Sequence, residues 1–275
     1  MDLPDAPLLP MAPYGVELVP PEDARIRDSL RRLLGDAFGG PEVRRFLAPP
    51  VMARAVAERA GYTASFPHLI GTVATAPDGG EQVGTDLVLT PAACHHVFPL
   101  FAGRSVRRSE GIGVEAACFR AEKEQEQGRL RSFLMYETVW LGAAEEVDRW
   151  CTAALDRSEA WLRGLGLAAR RQPASDPFFG RTGPWLAARQ QSEQLKWELA
   201  VEVADGTVQA VASVNRHRRH FADAFAITLS DGTAAHSACT AFGLDRLVLA
   251  LRHAHGEPDA WPPSLRTALS LPPAR

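Results

Sequence analysis

Apolar positions recur along this chain with two different periods, and the changes of period divide it into elements. In "PEDARIRDSLRRLLGDAFGG" the residues Ile26, Leu30, Leu33 and Leu34 predict a helix that the paired glycines stop. "PPVMARAVAERAGY" predicts a second, short helix, with proline near its start and glycine at its end. "HLIGTVATAPDGGEQVGTDLVLTP" is β-rich on both sides of Asp78-Gly79-Gly80 and predicts a hairpin. "GVEAACFRAE" and "SFLMYETVWLG" predict a strand and its return partner. The clearest amphipathic helix is "AAEEVDRWCTAALDRSEAWLRGLGL", with Val147, Trp150, Cys151, Ala154, Leu155, Trp161, Leu162 and Leu165 lining much of one side. "DPFFGRTG" reads as a loop, and "PWLAARQQSEQLKWEL" as a helix passing into a strand. "QAVASVNRHRRHF" and "FAITLSDGTAAHSACT" predict strands separated by a turn, and "FGLDRLVLALRHAHG" a closing helix ended by Gly256. The first 20 residues are proline-rich and predicted irregular, which leaves residues 21–275 as one domain. Strands in a run, with helices between and after, predict an α+β domain on a mainly antiparallel sheet.

Composition narrows the classes. The 275 residues are 46% hydrophobic and 23% charged, enough apolar material for a sizeable core. A formal net charge of −3 argues against a general polyanion binder. The N-terminus "MDLPDAPLLPMAPYG" lacks the pattern of an export signal, and no apolar run approaches the about 18 residues of a membrane span. A cytoplasmic protein without a membrane contact is expected. Cys94, Cys118, Cys151 and Cys239 are widely separated with no CxxC pair, which favours free thiols or metal ligands over disulfides.

The stretch "CFRAEKEQEQGRLRSFLMYE" holds candidate chemistry. Alternation on two adjacent strands puts Arg120 and Glu122 on one face of the first, and Phe133, Met135 and Glu137 on one face of the second. An arginine beside a strand end suits a phosphate, and an aromatic ring suits stacking on a purine. The charged turn between them carries Arg129 and could close over a nucleotide; a solvated hairpin with a salt-bridged Arg120 fits the same residues. In "HSACTAFGLDRLVLAL" a small-residue turn leads into a helix with Arg246 near its start. Taken alone, Cys94 and Cys239 read as buried thiols, as do Cys118 and Cys151.

Together these two segments resemble motifs 2 and 3 of class II aminoacyl-tRNA synthetases, whose fold is an antiparallel sheet flanked by helices. The resemblance sharpens to amino acid:carrier protein ligases, truncated relatives of atypical seryl-tRNA synthetases. It is carried by "SFPHLIGTV", "LTPAACHHVFP", "CFRAE", "RLRSFLMYETVWLG", "DPFFGR", "QSEQLKWEL", "SVNRHRRHF", "AHSACTAFGLDRLVLAL" and "HGEPDAWP", in family order from about residue 60 nearly to the C-terminus. The family pattern has Arg-Met-Arg-Glu where this chain has Leu134-Met135-Tyr136-Glu137, and Pro-Ser where it has Lys123-Glu124.

The resemblance implies an ATP-dependent enzyme that activates glycine or alanine as an adenylate and transfers it to the phosphopantetheine thiol of a carrier protein. Arg120 and Arg246 would be the catalytic charge stabilisers. ATP, with Mg²⁺, would be held by Arg120, Glu122, Arg129, Phe133 and Arg246. A zinc ion would be held by Cys94, Glu137 and Cys239, with one position left for the substrate's α-amino group. Glu137, Ser213 and Asn215 would bind the substrate, and His217 and His220 would stand in the pocket wall. A homodimer that does not charge tRNA is expected. Two other outcomes are compatible with the residues: a ligase acting on a small-molecule amine, and a synthetase-like binding subunit that has lost catalysis. His95 and His96 fit a strand end, His236 a structural position, and Lys196 with Glu198 either a salt bridge or a site role.

Overall fold

The computed structural model describes residues 9–11, 14–39, 43–106 and 109–272. The segment expected to be irregular carries a short antiparallel pairing of β1 (Leu9–Met11) with β2 (Val16–Leu18). Helix α1 (Pro21–Leu34) follows with proline at its first turn, buries Ile26, Leu30 and Leu34, and runs on as a wider turn through Gly39. Next come β3 (Arg44–Leu47), β4 (Val51–Ala53), α2 (Arg54–Arg59) and α3 (Tyr62–Ser65). The predicted second helix therefore begins as a strand, because Val51, Met52 and Ala53 pair with the second strand of the hairpin that follows. That hairpin is β5 (Thr72–Thr75) and β6 (Val83–Leu89), with Pro77–Gly79 in the turn between, and it forms a three-stranded sheet with β4.

After β7 (Ser105–Val106) the long strands begin: β8 (Glu110–Phe119) and β9 (Ser132–Gly142), then α4 (Ala144–Gly164), β10 (Arg170–Pro173) and α5 (Gly183–Ser192). β11 (Lys196–Ala204) and β12 (Thr207–Arg218) are followed by α6 (His220–Phe225), β13 (Thr228–Leu229), β14 (His236–Gly243), α7 (Leu244–His255) and α8 (Pro263–Ala268). The strand expected to run through Phe221 stops at Arg218, and α6 takes the place of its end and of the turn that was expected to follow, because Phe221, Ala222 and Phe225 have an apolar cluster to enter. Only Thr228–Leu229 of the next predicted strand is extended before β14.

The seven-stranded sheet has the order β10-β11-β12-β14-β9-β8-β3, antiparallel throughout except for the edge pair β3–β8. Its two faces differ. One is covered by α1, α4 and α7, whose leucines meet Tyr136, Leu199, Val201, Val214 and Phe242. On the other, Ile112, Val114, Val139 and Leu141 pack against the turns around Ala93–Phe101 and against α6. Burial at roughly 25 cal/mol per Å² of apolar surface makes both clusters the main source of stability. Among the described residues no helix is long and apolar enough to cross a membrane.

Candidate active site

A cavity of about 460 Å³ opens on the second face, over the middle of the sheet. Alternation along the strands decides what lines it. On β9, Phe133, Met135 and Glu137 face the cavity while Tyr136 is buried under the helices. On β14 the cavity takes Cys239 and Ala241, and the helices take Ala238 and Phe242. β12 contributes Ser213 and Asn215, and β11 contributes Lys196 and Glu198. Arg120 and Glu122, just beyond β8, line it as well. The positions where the family has arginines, Leu134 and Tyr136, belong to the helix-covered side, so that departure leaves the cavity wall unchanged.

Cys94, Glu137 and Cys239 come together from three separate elements, with one ligand atom of each within 4.8 Å of the others, and all three are buried. Cys94 lies in the helical turn Ala93–His96, so His95 and His96 sit in a turn rather than at a strand end. The Ala93 N–H donates to Glu137 Oε1 at 2.8 Å, which fixes the carboxylate. Burial, with the nearby Cys239 thiol, raises the Glu137 carboxyl to about 7. A hydrogen bond between the two thiols raises Cys94 well above its ordinary value and lowers Cys239 well below. A carboxyl and two thiols, buried and this close, are a poor arrangement without a cation and a suitable one with it. The residues present therefore fit zinc.

The nucleotide candidates stand beside this cluster. The Arg120 guanidinium lies 5.4 Å from the Phe133 ring centroid, and its Nε donates to the Pro91 carbonyl at 3.1 Å. No carboxylate salt bridge holds Arg120 among the described residues, which sets aside the solvated, salt-bridged hairpin. Arg246 donates through Nε to the Gly128 carbonyl at 2.6 Å and through an Nη to Ala210 at 2.9 Å. Burial first, and then the charges of Arg120 and Arg129, lower its guanidinium to about 10. Asp245 secures the start of α7 by accepting from the Leu134 N–H at 2.6 Å and pairing with Arg27 at 3.2 Å. Arg129 is the one predicted residue outside the cavity lining; it pairs with Glu126 at 3.4 Å and Glu122 at 3.8 Å.

Sequence reading did not identify Asp176. It sits in the "DPFFGR" loop and pairs with Lys196 at 2.7 Å, while Lys196 also reaches Glu198 at 3.1 Å. Gln190 bonds both the backbone and the carboxylate of Asp176, so α5 and this loop are tied to the cavity wall. Phe178 stacks on Phe66 at its rim. Nothing in the spacing signals a pair 20 residues apart. His217 and His220 line the cavity as expected, each with a polar partner: Ser237 Oγ at 3.2 Å and the Ala60 carbonyl at 3.0 Å. Cys151 is buried in the helix-covered cluster, and Cys118 in the other, with its own strand for company.

A mainly antiparallel sheet flanked by helices, with a cavity on its open face, one arginine just beyond β8 and another on α7, has the class II aminoacyl-tRNA synthetase-like fold. Seryl-tRNA synthetases share this fold. The M. kandleri enzyme, solved in complex with A. aeolicus tRNASec, superposes with a TM-score of 0.80 over 97% of this chain and 60% of its own, at 20% identity. The Pyrococcus horikoshii enzyme, solved with ATP, gives 0.74 over 94% and 58%, at 17% identity. This chain thus spans about 60% of the synthetase chains it matches. Among curated proteins, it is 40% identical over 256 residues to amino acid–[acyl-carrier-protein] ligase 1 of Bradyrhizobium diazoefficiens, covering 85% of this chain and 78% of the relative. Ligase 2 of the same organism is 40% identical over 252 residues, covering 84% and 75%. No family model matches the chain. The protein belongs to the amino acid–[acyl-carrier-protein] ligase family and is a ligase.

Proposed function

We propose that the protein activates a small amino acid with ATP and passes the aminoacyl group to the phosphopantetheine thiol of a carrier protein. The observation that carries this reading is convergence: Cys94, Glu137 and Cys239, which could hold a metal ion, line the same cavity as Arg120, Glu122, Phe133 and Arg246, four of the five candidate nucleotide residues. The carrier protein enters through the relatives, which are named for it. Glycine or alanine is the proposed substrate, on the resemblance of the motifs alone. Residues 21–275 are taken as the catalytic domain, acting in the cytoplasm as a homodimer.

Cys94, Glu137 and Cys239 would hold zinc, which when bound supplies a Lewis-acidic seat for the substrate's α-amino group. Ser213 and Asn215 would hold the substrate from the sheet floor. Arg120, which lines the same cavity, would face the substrate's carboxylate. A carboxylate oxygen attacks the α-phosphorus of ATP, the bond to the β-phosphate oxygen breaks, and pyrophosphate leaves. Arg120 and Arg246 meet the negative charge that develops, and their placement before the reaction is the catalytic contribution. ATP enters with Mg²⁺, its adenine against Phe133, with Glu122 and Arg129 at its edge. In the second step a thiol sulfur attacks the acyl carbon of the mixed anhydride, AMP leaves, and the thiol proton passes to solvent. A thiol is already partly ionised near neutral pH, so no dedicated base is required.

Pyrophosphate exchange across the twenty amino acids tests the first step, with a signal expected for glycine or alanine. Labelling of a holo-carrier protein beside bulk tRNA tests the second. Charged tRNA with an unlabelled carrier would overturn the acceptor, and absence of exchange with every amino acid would overturn the activity.

A further inference from the structure

We infer that Asn215 is a positioning residue for the Cys239 sulfur, holding it by an amide N–H bond in the orientation from which a metal is bound. The inference rests on the reading of Cys94, Glu137 and Cys239 as a metal site. Asn215 and Cys239 are direct partners in the β12–β14 pairing, so their side chains leave the sheet on the same face. Asn215 Nδ2 lies 3.4 Å from Cys239 Sγ and 3.1 Å from Ser213 Oγ.

The amide nitrogen has two hydrogens, and these two contacts use both. Reversing the amide would turn Oδ1 toward a sulfur that, as a thiolate, only accepts; that orientation is repulsive. The oxygen is then what Asn215 has left to offer the cavity it lines. Glu137 has an equivalent support in the Ala93 N–H at 2.8 Å, so two of the three candidate ligands are each held by a donor from outside the trio. An N–H bond to a thiolate withdraws electron density from sulfur and restricts its rotamer. Partners of this kind set the orientation and donor strength of metal ligands, and losing one typically costs about 10–100-fold in metal affinity or activity.

The test uses the full chain loaded with Co²⁺ or Zn²⁺. Asn215→Ala removes the donor, and the isosteric Asn215→Asp replaces it with a charged acceptor. Both should move the thiolate-to-cobalt charge-transfer band to lower energy, since sulfur regains electron density, and both should lower zinc affinity about 10-fold or more in chelator competition. The shift should be larger for Asn215→Asp. Ser213→Ala keeps the Asn215–sulfur contact and should leave the band in place. A band and zinc affinity at wild-type values in both Asn215 variants would overturn the inference while the metal site stands. A wild-type protein that takes up neither ion would refute the metal reading itself, and the inference with it.

Discussion

The two faces of the central sheet are built from the same strands, often from adjacent residues, yet they do opposite things. Tyr136, Phe242, Val214 and Leu199 enter a cluster sealed by α1, α4 and α7. Their neighbours Glu137, Ala241, Ser213 and Glu198 line a cavity with charged walls. On the first face a side chain contributes by volume and area. On the second, burial raises Glu137 to about 7 and lowers Arg246 to about 10, displacements that cost stability unless something is bound. The stable face carries the cost of the strained one, and the alternation of the strands assigns each residue to its side.

The difference is tested most severely by the four cysteines, two of which belong to the cavity trio. The wild type should carry about one zinc per chain, and Cys94→Ser and Cys239→Ser, each exchanging a thiolate for a neutral hydroxyl, should strip most of it. Adenylate formation should fall to background, while ATP binding survives in large part. Elemental analysis beside pyrophosphate exchange reads both effects, and full zinc in either variant would remove that cysteine from the site.

Next in size are the arginines. Arg120→Ala and Arg246→Ala should each slow adenylate formation by about 10²-fold or more, the usual loss when a preorganised charge stabiliser is removed. Neither should unfold the protein, because among the described residues the Arg120 side chain hydrogen-bonds a carbonyl and lies over a ring, the Arg246 side chain bonds two carbonyls, and neither forms a salt bridge. Phe133→Ala should mainly weaken ATP binding, since stacking acts on bound substrate as well as on the transition state. A folded arginine variant with the wild-type exchange rate would detach that residue from the nucleotide.

The Asp176–Lys196 pair should give a smaller effect, visible in pH. Burial pushes the Asp176 carboxyl up, but the Lys196 ammonium and the Gln190 hydrogen bond outweigh it and hold the group below its ordinary 3.8. A carboxyl held low adds stability above its unfolded value and loses it as pH falls through its folded one. Asp176→Asn should therefore cost about 1 kcal/mol at neutral pH and flatten the acid limb of a stability–pH curve below about pH 4. An acid limb as steep as wild type would show that another group produces it.

How much of this was legible in the sequence follows from the range of the forces involved. Periodicity found α1, α4, α7 and the long strands, because each buries its own apolar side. It also put Phe133, Met135 and Glu137 on one face, as the cavity confirms. It missed β3, β4 and β10, whose pairing depends on strands far along the chain. It misread the flanks of β13 in the expected strand "FAITLSDGTAAHSACT": the end of α6 and a left-handed Ala226 precede Thr228–Leu229, and a turn at residues 230–232 follows it. The trio of Cys94, Glu137 and Cys239 came from family resemblance, since residues 43 and more apart have no spacing to read. Asp176 escaped for the same reason: its partner lies across a loop and a helix.

The smallest effect belongs to the helix-covered face. Cys151 lies on the buried side of α4, and burial there pushes its thiol up to about 12, with the Arg216 charge acting weakly against. Near neutral pH it is a neutral, apolar filler with no metal ligand function to lose. Cys151→Ser should cost about 1 kcal/mol, because the hydroxyl asks more of its surroundings than a thiol does. Zinc content and pyrophosphate exchange should stay at wild-type values. Cys118→Ser is the harder control, since Cys118 belongs to the cluster on the cavity side and lies directly across from Phe133. It too should keep its zinc and lose only stability, its buried thiol being pushed well up by burial. Thermal unfolding and elemental analysis of the two variants decide the matter. Zinc lost from Cys151→Ser would mean that the helix face reaches through the sheet into the site. Zinc lost from Cys118→Ser alone would enlarge the site along β8 and leave the division between the faces intact.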